Sequence, residues 1–314
     1  MRAMVTGCAG FIGSHLSESL LADGHDVVGV DCFNENYGRR QKLRNLERAR
    51  AWDHFDFVPV DLSRGDLAEL TADCDVVYHL AAEPGVRASW GKRFDAYVRN
   101  NVMATQLLLD AVASEPGRRL VYASSSSVYG QAEALPTVET TLPRPFSPYG
   151  VTKLSAEHLC EAYRDNWGLD VVMLRYFSVF GPRQRPDMAF HKFCRAAIHG
   201  ELIEVYGDGE QTRDFTYVLD IVAATRLASE AEAAPGRTYN IGGGLRASVN
   251  DALEIIGGLV DRPLRVDYQN AQAGDVRETG ADTTRARSEL GYSPMQTFEA
   301  GLRAEYEWVV EEFS

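Results

Sequence analysis

Thr6-Gly7-Cys8-Ala9-Gly10-Phe11-Ile12-Gly13-Ser14-His15-Leu16 follows a short apolar run near the start of this 314-residue chain and opens a helical period. Its glycines, Gly7, Gly10 and Gly13, allow a tight turn, close backbone approach to a pyrophosphate, and close packing of a helix on a strand. The helix start adds N–H donors and a partial positive charge, a ready-made anion site. A glycine triplet alone is equally a flexible turn. Context separates the two: a strand precedes it, a helix follows, and Asp31 ends the second apolar run. A carboxylate there accepts from the ribose hydroxyls of NAD and repels the additional phosphate of NADP. Arg39 and Arg40 would suit that phosphate, or a solvated helix face. The reading is a dinucleotide site for NAD.

Outward from this loop, apolar runs at 3–6, 26–30, 55–60, 76–80, 120–123 and 171–174 predict strands. Segments 11–22, 67–71, 94–113 and 148–167 predict helices between them. Strands rich in Val and Ile, each followed by a helical period, imply right-handed crossovers and a parallel sheet covered on both faces. The expected fold is α/β, a doubly wound Rossmann-type parallel sheet with a smaller mixed α/β lobe. Residues 1–176, with returning segments near 214–240, are expected to form the dinucleotide half and 177–314 the second lobe. Past residue 176 the pattern loosens into prolines, glycine turns and three helix-like stretches, the last at 298–309. That lobe is expected to close over the carboxyl edge of the sheet, where open α/β sheets bind ligands. Asp61-Leu62 after the third strand fits adenine or a helix cap; Leu80-Ala81-Ala82 after the fourth lets the chain run close beside a cofactor.

With 32 Lys+Arg against 45 Asp+Glu, the net charge of −13 excludes non-specific nucleic-acid binding, which needs a basic face. Cations that hold an anionic ligand must then be few and local. No run approaches the ~18 apolar residues of a membrane span, and no signal peptide is read at the start. The five cysteines are scattered with no Cys-x-x-Cys, and the seven histidines show no His-x-x-x-His. A disulfide framework and a metal site are therefore not expected, and a reduced cytoplasm is.

Ser124-Ser125-Ser126-Ser127-Val128-Tyr129-Gly130 follows the fifth strand, and Tyr149-Gly150-Val151-Thr152-Lys153 comes after it. Pro148 suits a helix start, and Tyr149 and Lys153, at i and i+4, share one face. An ammonium close by stabilises a phenolate. Such a Tyr can take a proton from an alcohol while hydride leaves the same carbon, with a strand-end serine orienting that alcohol. A surface helix would also carry Tyr-x-x-x-Lys by chance, but the glycine loop and the serine make chance a poor account.

Over essentially its whole length the chain resembles the extended short-chain dehydrogenase/reductase family of NAD-dependent nucleotide-sugar epimerases and dehydratases. The resemblance rests on the glycine loop, Asp31, His79-Leu80-Ala81-Ala82, Asn101-Val102, the serine run, Tyr149/Lys153, Arg175-Tyr176-Phe177, Gly181-Pro182 and Arg213-Asp214-Phe215. It implies Ser125, Tyr149 and Lys153 as the catalytic triad and NAD held throughout turnover. It also implies cofactor contacts from Asn34, Asn101, Ser124, Tyr176 and Phe177, and a homodimer through two long helices per subunit.

Dehydratases of that family resemble Ser-Thr-Asp-Glu-Val-Tyr-Gly at the strand-five motif, and the decarboxylases likewise carry a Glu. Here Ser126 and Ser127 stand instead, and an unaided serine is no general acid or base near pH 7. Oxidation at C4, rotation of the keto sugar and re-reduction remain, which is 4-epimerisation. The segments 30–37, Gly85-Val86-Arg87, 181–190 and Gln272-x-Gly274-Asp275-Val276 resemble UDP-glucuronic acid 4-epimerases. Ser178, where hexose 4-epimerases usually have Asn, and Gln272, where they usually have Arg, agree. Arg185 offers a planar fork for a carboxylate, with Ser126, Ser127 and Ser178 completing the pocket; it could instead pair with Asp187 or touch phosphate. The resemblance further implies Arg213 and Arg277 as diphosphate partners, Asp275 as a ribose partner and Val205-Tyr206 against the base. Lys192 fits phosphate or a solvated face, and Arg87 the carboxylate or diphosphate. The substrate expected is UDP-glucuronate or UDP-galacturonate, the alternatives being neutral UDP-hexoses, N-acetylhexosamines or decarboxylation of UDP-glucuronate.

Overall fold

A computed structural model describes residues 1–34, 37–272 and 274–313. Glu35 and Asn36, part of the segment 30–37 quoted above, lie outside the described residues.

The strands are β1 (Arg2–Thr6), β2 (Asp26–Val30), β3 (Phe55–Val58), β4 (Val76–His79), β5 (Arg119–Ser125), β6 (Asp170–Tyr176), β7 (Val179–Phe180), β8 (Leu202–Tyr206), β9 (Thr212–Asp214), β10 (Thr216–Tyr217), β11 (Thr238–Ile241), β12 (Arg246–Ser248) and β13 (Arg265–Gln269). The helices are α1 (Phe11–Ala22), α2 (Arg39–Glu47), α3 (Ala68–Thr71), α4 (Phe94–Tyr97), α5 (Ala104–Ala113), α6 (Pro148–Trp167), α7 (Ala189–His199), α8 (Val218–Glu230), α9 (Val249–Val260), α10 (Thr284–Leu290) and α11 (Phe298–Phe313).

Seven parallel strands form the central sheet in the order β11-β6-β5-β4-β1-β2-β3. The chain leaves β1 in one direction and returns to β4 on its other side, so a crevice opens between the carboxyl ends of these two strands. Both faces of the sheet are buried. Leu16, Leu20, Val5, Tyr78 and Ile221 fill one, and Met4, Val77, Leu108, Tyr122 and Cys160 the other. A further core joins α7, α9 and α11 around Phe180, Phe190 and Leu302, with Phe215 and Phe298 stacked at 5.1 Å.

Two departures from the sequence reading have clear causes. The stretch 94–113, expected as one helix, is α4, a π-helical segment Val98–Met103 and α5. Widening the turn puts Asn101 where its side chain binds both the N–H and the carbonyl of Glu83, at 2.6 and 3.1 Å. The later half holds five helices, α7 to α11, among the described residues, not three; the chain returning near 214–240 supplies β11 at the edge of the sheet.

Candidate active site

β1 delivers Gly7 with φ +71, a conformation that favours glycine. A Cβ there would come within 2.9 Å of the Ala81 nitrogen, and one on Gly13 within 2.2 Å of the Gly7 carbonyl oxygen. Loop, α1 and the segment after β4 are thus packed too closely for side chains. Thr6 locks the arrangement: its hydroxyl accepts from the N–H groups of Leu80 and Ala81, both at 3.1 Å, and lies 2.9 Å from His79 Nδ1. Thr105 donates to the Asn101 carbonyl, so it accepts from His79 Nε2 at 2.9 Å, and His79 Nδ1 is the acceptor for Thr6. Burial pushes the imidazole down to about 3, keeping it neutral.

The resulting crevice is lined by Gly7, Gly10, Phe11, Ile12 and Gly13 on one side and Leu80, Ala81 and Ala82 on the other. Asp31, Asn34, Asp61 and Leu62 stand at one end, Ser124, Tyr149, Lys153, Tyr176 and Arg185 at the other. α1 begins at Gly10 without a side-chain cap and has no acidic residue in its first turn. The N–H groups of that turn, unpaired inside any helix, open on the crevice. Asp31 accepts from the Phe33 N–H at 2.8 Å through one oxygen and keeps the other for a ligand. Asp61 both lines the crevice and holds a turn, accepting from Ser63 N–H and hydroxyl at 2.9 and 2.7 Å. A bare helix start for phosphate, a strand-end carboxylate for ribose hydroxyls and glycines where a Cβ has no room make a fit for NAD. The sequence reading overlooked Lys42, whose ammonium, in α2, lies 3.7 Å from Asp31 and 2.5 Å from Asn34; it looked to Arg39 and Arg40, one turn earlier. It also missed Asn100, which lines the crevice.

At the other end, Ser147 caps α6 by accepting from the Gly150 N–H, and Pro148 starts the helix. Tyr149 and Lys153 then face the crevice from successive turns. Burial pushes the Tyr149 phenol above its ordinary value, while a hydrogen bond with Ser125 and the charge of Arg185 pull it back. Lys153 donates to the Ala123 carbonyl at 2.7 Å and sits 4.9 Å from the centre of the Tyr122 ring. Burial lowers it to about 8, against the opposing charge of Glu157. Ser125 and Arg185 both favour the phenolate, a pull that the sequence reading did not include. Glu157 also accepts from Ser124 at 2.5 Å and grips Arg175 by two bonds of 2.9 and 2.7 Å, pinning α6 to β6.

Two residues expected at the cofactor are elsewhere. Asn101 is buried, bound to Glu83 and, at 2.9 Å, to Thr152; the π turn presents Asn100 to the crevice in its place. Phe177 is buried against Tyr129 and Val128, because the residue after the crevice-facing Tyr176 points to the opposite side.

A second cavity is lined by Arg87, Ser178, Asp187, Lys192, Val205, Tyr206, Arg213 and Asp275, with Gln184, Glu204 and Phe215. Arg87 lies 4.4 Å over the Tyr206 ring and is paired with Asp275 at 2.6 Å. Arg213 is held by the carbonyls of Thr212, Val276 and Arg277. Arg277 is outside this lining, drawn to Asp208 at 3.2 Å. Ser126 and Ser127 line neither cavity; they form the short turn after β5, where the Ser127 N–H donates to Ser125 at 3.1 Å. Arg185 meets Asp187 in a two-pronged ion pair. Among the described residues no group of His, Cys, Asp and Glu could hold a metal ion, and no helix is long and apolar enough to cross a membrane.

The chain belongs to the NAD dependent epimerase/dehydratase family, whose pattern matches residues 3–242. It is similar to a crystal structure of UDP-glucuronic acid 4-epimerase from Bacillus cereus in complex with UDP-glucuronic acid and NAD, at 42% identity and TM-score 0.97, covering 100% of both chains. It is 35% identical over 312 residues to a UDP-glucuronate 4-epimerase of Thermodesulfobacterium geofontis, covering 98% of this chain and 96% of that one. It is also 42% identical over 306 residues to an uncharacterized UDP-glucose epimerase of Bacillus subtilis, covering 97% and 96%.

Proposed function

We propose that this protein interconverts UDP-glucuronic acid and UDP-galacturonic acid by NAD-dependent 4-epimerisation through a transient 4-keto sugar. The observation that carries the reading is Arg185, a fork for a carboxylate in the same crevice as Tyr149. Likeness to the Bacillus cereus and Thermodesulfobacterium enzymes supports it.

Residues 1–176, with returning segments near 214–240, serve the dinucleotide, and 177–314 the nucleotide sugar. NAD, when bound, supplies a hydride acceptor at the sugar's C4 that gives back what it takes. The residues named for it are the glycine loop, the start of α1 and Asp31, with Lys42 beside them. Tyr149 takes the proton of the C4 hydroxyl and later returns it. Ser125, beside that phenol, orients the hydroxyl, and Lys153 favours the phenolate through charge. Arg87, Lys192 and Arg213 meet the diphosphate, Asp275 the ribose, and Val205 and Tyr206 the base.

Oxidising C4 of a glucuronate makes a β-keto acid, which loses carbon dioxide when its C–C bond to the carboxylate stands perpendicular to the carbonyl plane. Arg185, aided by Ser178, holds the carboxylate away from that geometry, and Ser126 and Ser127 supply no acid or base where the decarboxylases have Glu. A second reading, epimerisation of UDP-glucose, is favoured by the Bacillus subtilis relative and by Asp187 already filling the Arg185 fork.

A homodimer through α5 and α6 belongs to the proposal, supported by the exposed apolar side chains of Met103 and Val151. So does a cytoplasmic location, which the free cysteines fit. A proton NMR time course of purified protein with UDP-glucuronate and with UDP-glucose tests the substrate. UDP-galacturonate is the expected product; conversion of UDP-glucose with UDP-glucuronate untouched would transfer the assignment to the second reading.

A further inference from the structure

Arg185 lines the crevice that holds Tyr149, and Asp187 lines the cavity that holds Lys192 and Arg213. The pair thus joins the linings of the two spaces that a nucleotide sugar would occupy. The two side chains meet fork to fork, Nε to Oδ1 at 2.9 Å and Nη2 to Oδ2 at 2.8 Å, the geometry a guanidinium adopts with any carboxylate. The members differ in exposure, 18% for Arg185 and 53% for Asp187.

The preceding backbone is tied down. Gly181 N–H donates to buried Glu305 at 2.8 Å, Arg183 pairs with Glu18 at 2.8 Å, and the Gln184 side-chain carbonyl accepts from His191 N–H at 3.1 Å. The loop cannot easily carry Arg185 away from its place, whereas the half-exposed Asp187 side chain has room to turn. A uronate carboxylate offers the same two acceptor oxygens as Asp187. We infer that Asp187 is a resident counter-carboxylate: it holds the Arg185 fork until the carboxylate of an acidic sugar replaces it. The inference deepens the uronate reading proposed above and rests on it.

Two effects follow. A largely buried guanidinium is kept paired before substrate arrives, where an unpaired one would be costly. Asp187 also competes with acidic sugars alone, because a neutral hexose has nothing to exchange for it. The residue therefore trades affinity for the uronate against order in the site, and specificity is the difference between two affinities.

Asp187→Asn keeps an oxygen acceptor and removes the competing charge. In the NAD-loaded enzyme its KM for UDP-glucuronate is expected to fall about three- to fivefold, the scale of a partly exposed ion pair. The inhibition constant of UDP-glucose as a competitive ligand should fall less than half as far. In an Arg185→Ala background there is no fork to free, so the same change should lose most of its preference for UDP-glucuronate, keeping only the relief of Asp187's repulsion on the ligand's negative charges. Circular dichroism and NAD content of each variant report folding. A KM for UDP-glucuronate that stays or rises in Asp187→Asn, or one that falls no further than the UDP-glucose constant, would overturn the inference while leaving the uronate reading intact. Wild-type enzyme inert toward UDP-glucuronate would remove the reading and the inference together.

Discussion

The dinucleotide crevice and the second cavity bind by different means. The first is built from backbone: glycines that admit no Cβ, an uncapped helix start, and small residues after β4. Its form is a by-product of the parallel sheet, fixed before any ligand arrives. The second is built from long side chains of separate elements, and cations in and around it are matched by the chain's own acids. Its Asp187 pairs with Arg185 of the crevice and its Arg87 with Asp275, while Arg277 beside it pairs with Asp208. In a chain of net charge −13, such pairing keeps cations ordered without a basic patch, and binding there becomes an exchange of partners. A preformed backbone site should lose function when a single atom is added; an exchange site should respond to charge in a graded, ligand-dependent way.

The largest effect is expected where the two regions meet. Tyr149→Phe should lower turnover by about 10²–10⁴-fold while leaving NAD content unchanged, measured on the purified variant. A fully active phenylalanine variant would break the assignment of the proton carrier. Arg185→Ala comes next: its KM for UDP-glucuronate should rise by roughly 10–100-fold, as for loss of hydrogen bonds to a charged group. The fraction of decarboxylated 4-keto-pentose in the NMR product spectrum should rise as well. Unchanged kinetics would move the carboxylate pocket elsewhere.

Gly13→Ala tests the backbone site alone. Its Cβ, 2.2 Å from the Gly7 carbonyl, forces the loop apart at a cost of about 1–3 kcal/mol. Tm and bound NAD should both drop, and every substrate should suffer alike. Arg87→Ala is the mildest substitution. Its ion pair is half exposed, so UDP affinity by calorimetry should weaken within about fivefold.

Acid should weaken the fold gradually. His15, His79 and His191 are lowered by burial to about 4, 3 and 4, so the unfolded chain takes up protons first as pH falls. Their stabilising contribution is complete above pH ~6.5 and declines toward pH 4, at up to about 1.4 kcal/mol per pH unit for each group fully titrating only when unfolded. Melting curves across that range measure it, and His79→Gln should flatten one share of the slope.

The crevice was legible because its requirements are strict. Only glycine suits Gly7 and Gly13, only a strand end suits Asp31, and six of the seven sheet strands carry apolar runs. β11 escaped because Thr238 and Asn240 interrupt its pattern; Asn240 is spent on Tyr129, accepting its hydroxyl at 2.7 Å. The π-helical turn escaped because inserting one residue barely alters apolar spacing, yet it exchanges Asn101 for Asn100 at the crevice. The second cavity was legible in part, through Arg87, Ser178, Lys192, Val205, Tyr206, Arg213 and Asp275, but not in its pairings. Arg87 and Asp275 are distant in sequence, and nothing local says that Arg277 turns toward Asp208.

Glu305 gives the last helix a reach beyond its own position. This carboxyl, completely buried in α11, is raised well above its usual range by burial and binds the Gly181 N–H. Four residues downstream of that glycine stands Arg185. A lesion in α11 would therefore be felt at the Arg185 segment, and so in the proposed discrimination between sugars, before the sheet itself gave way.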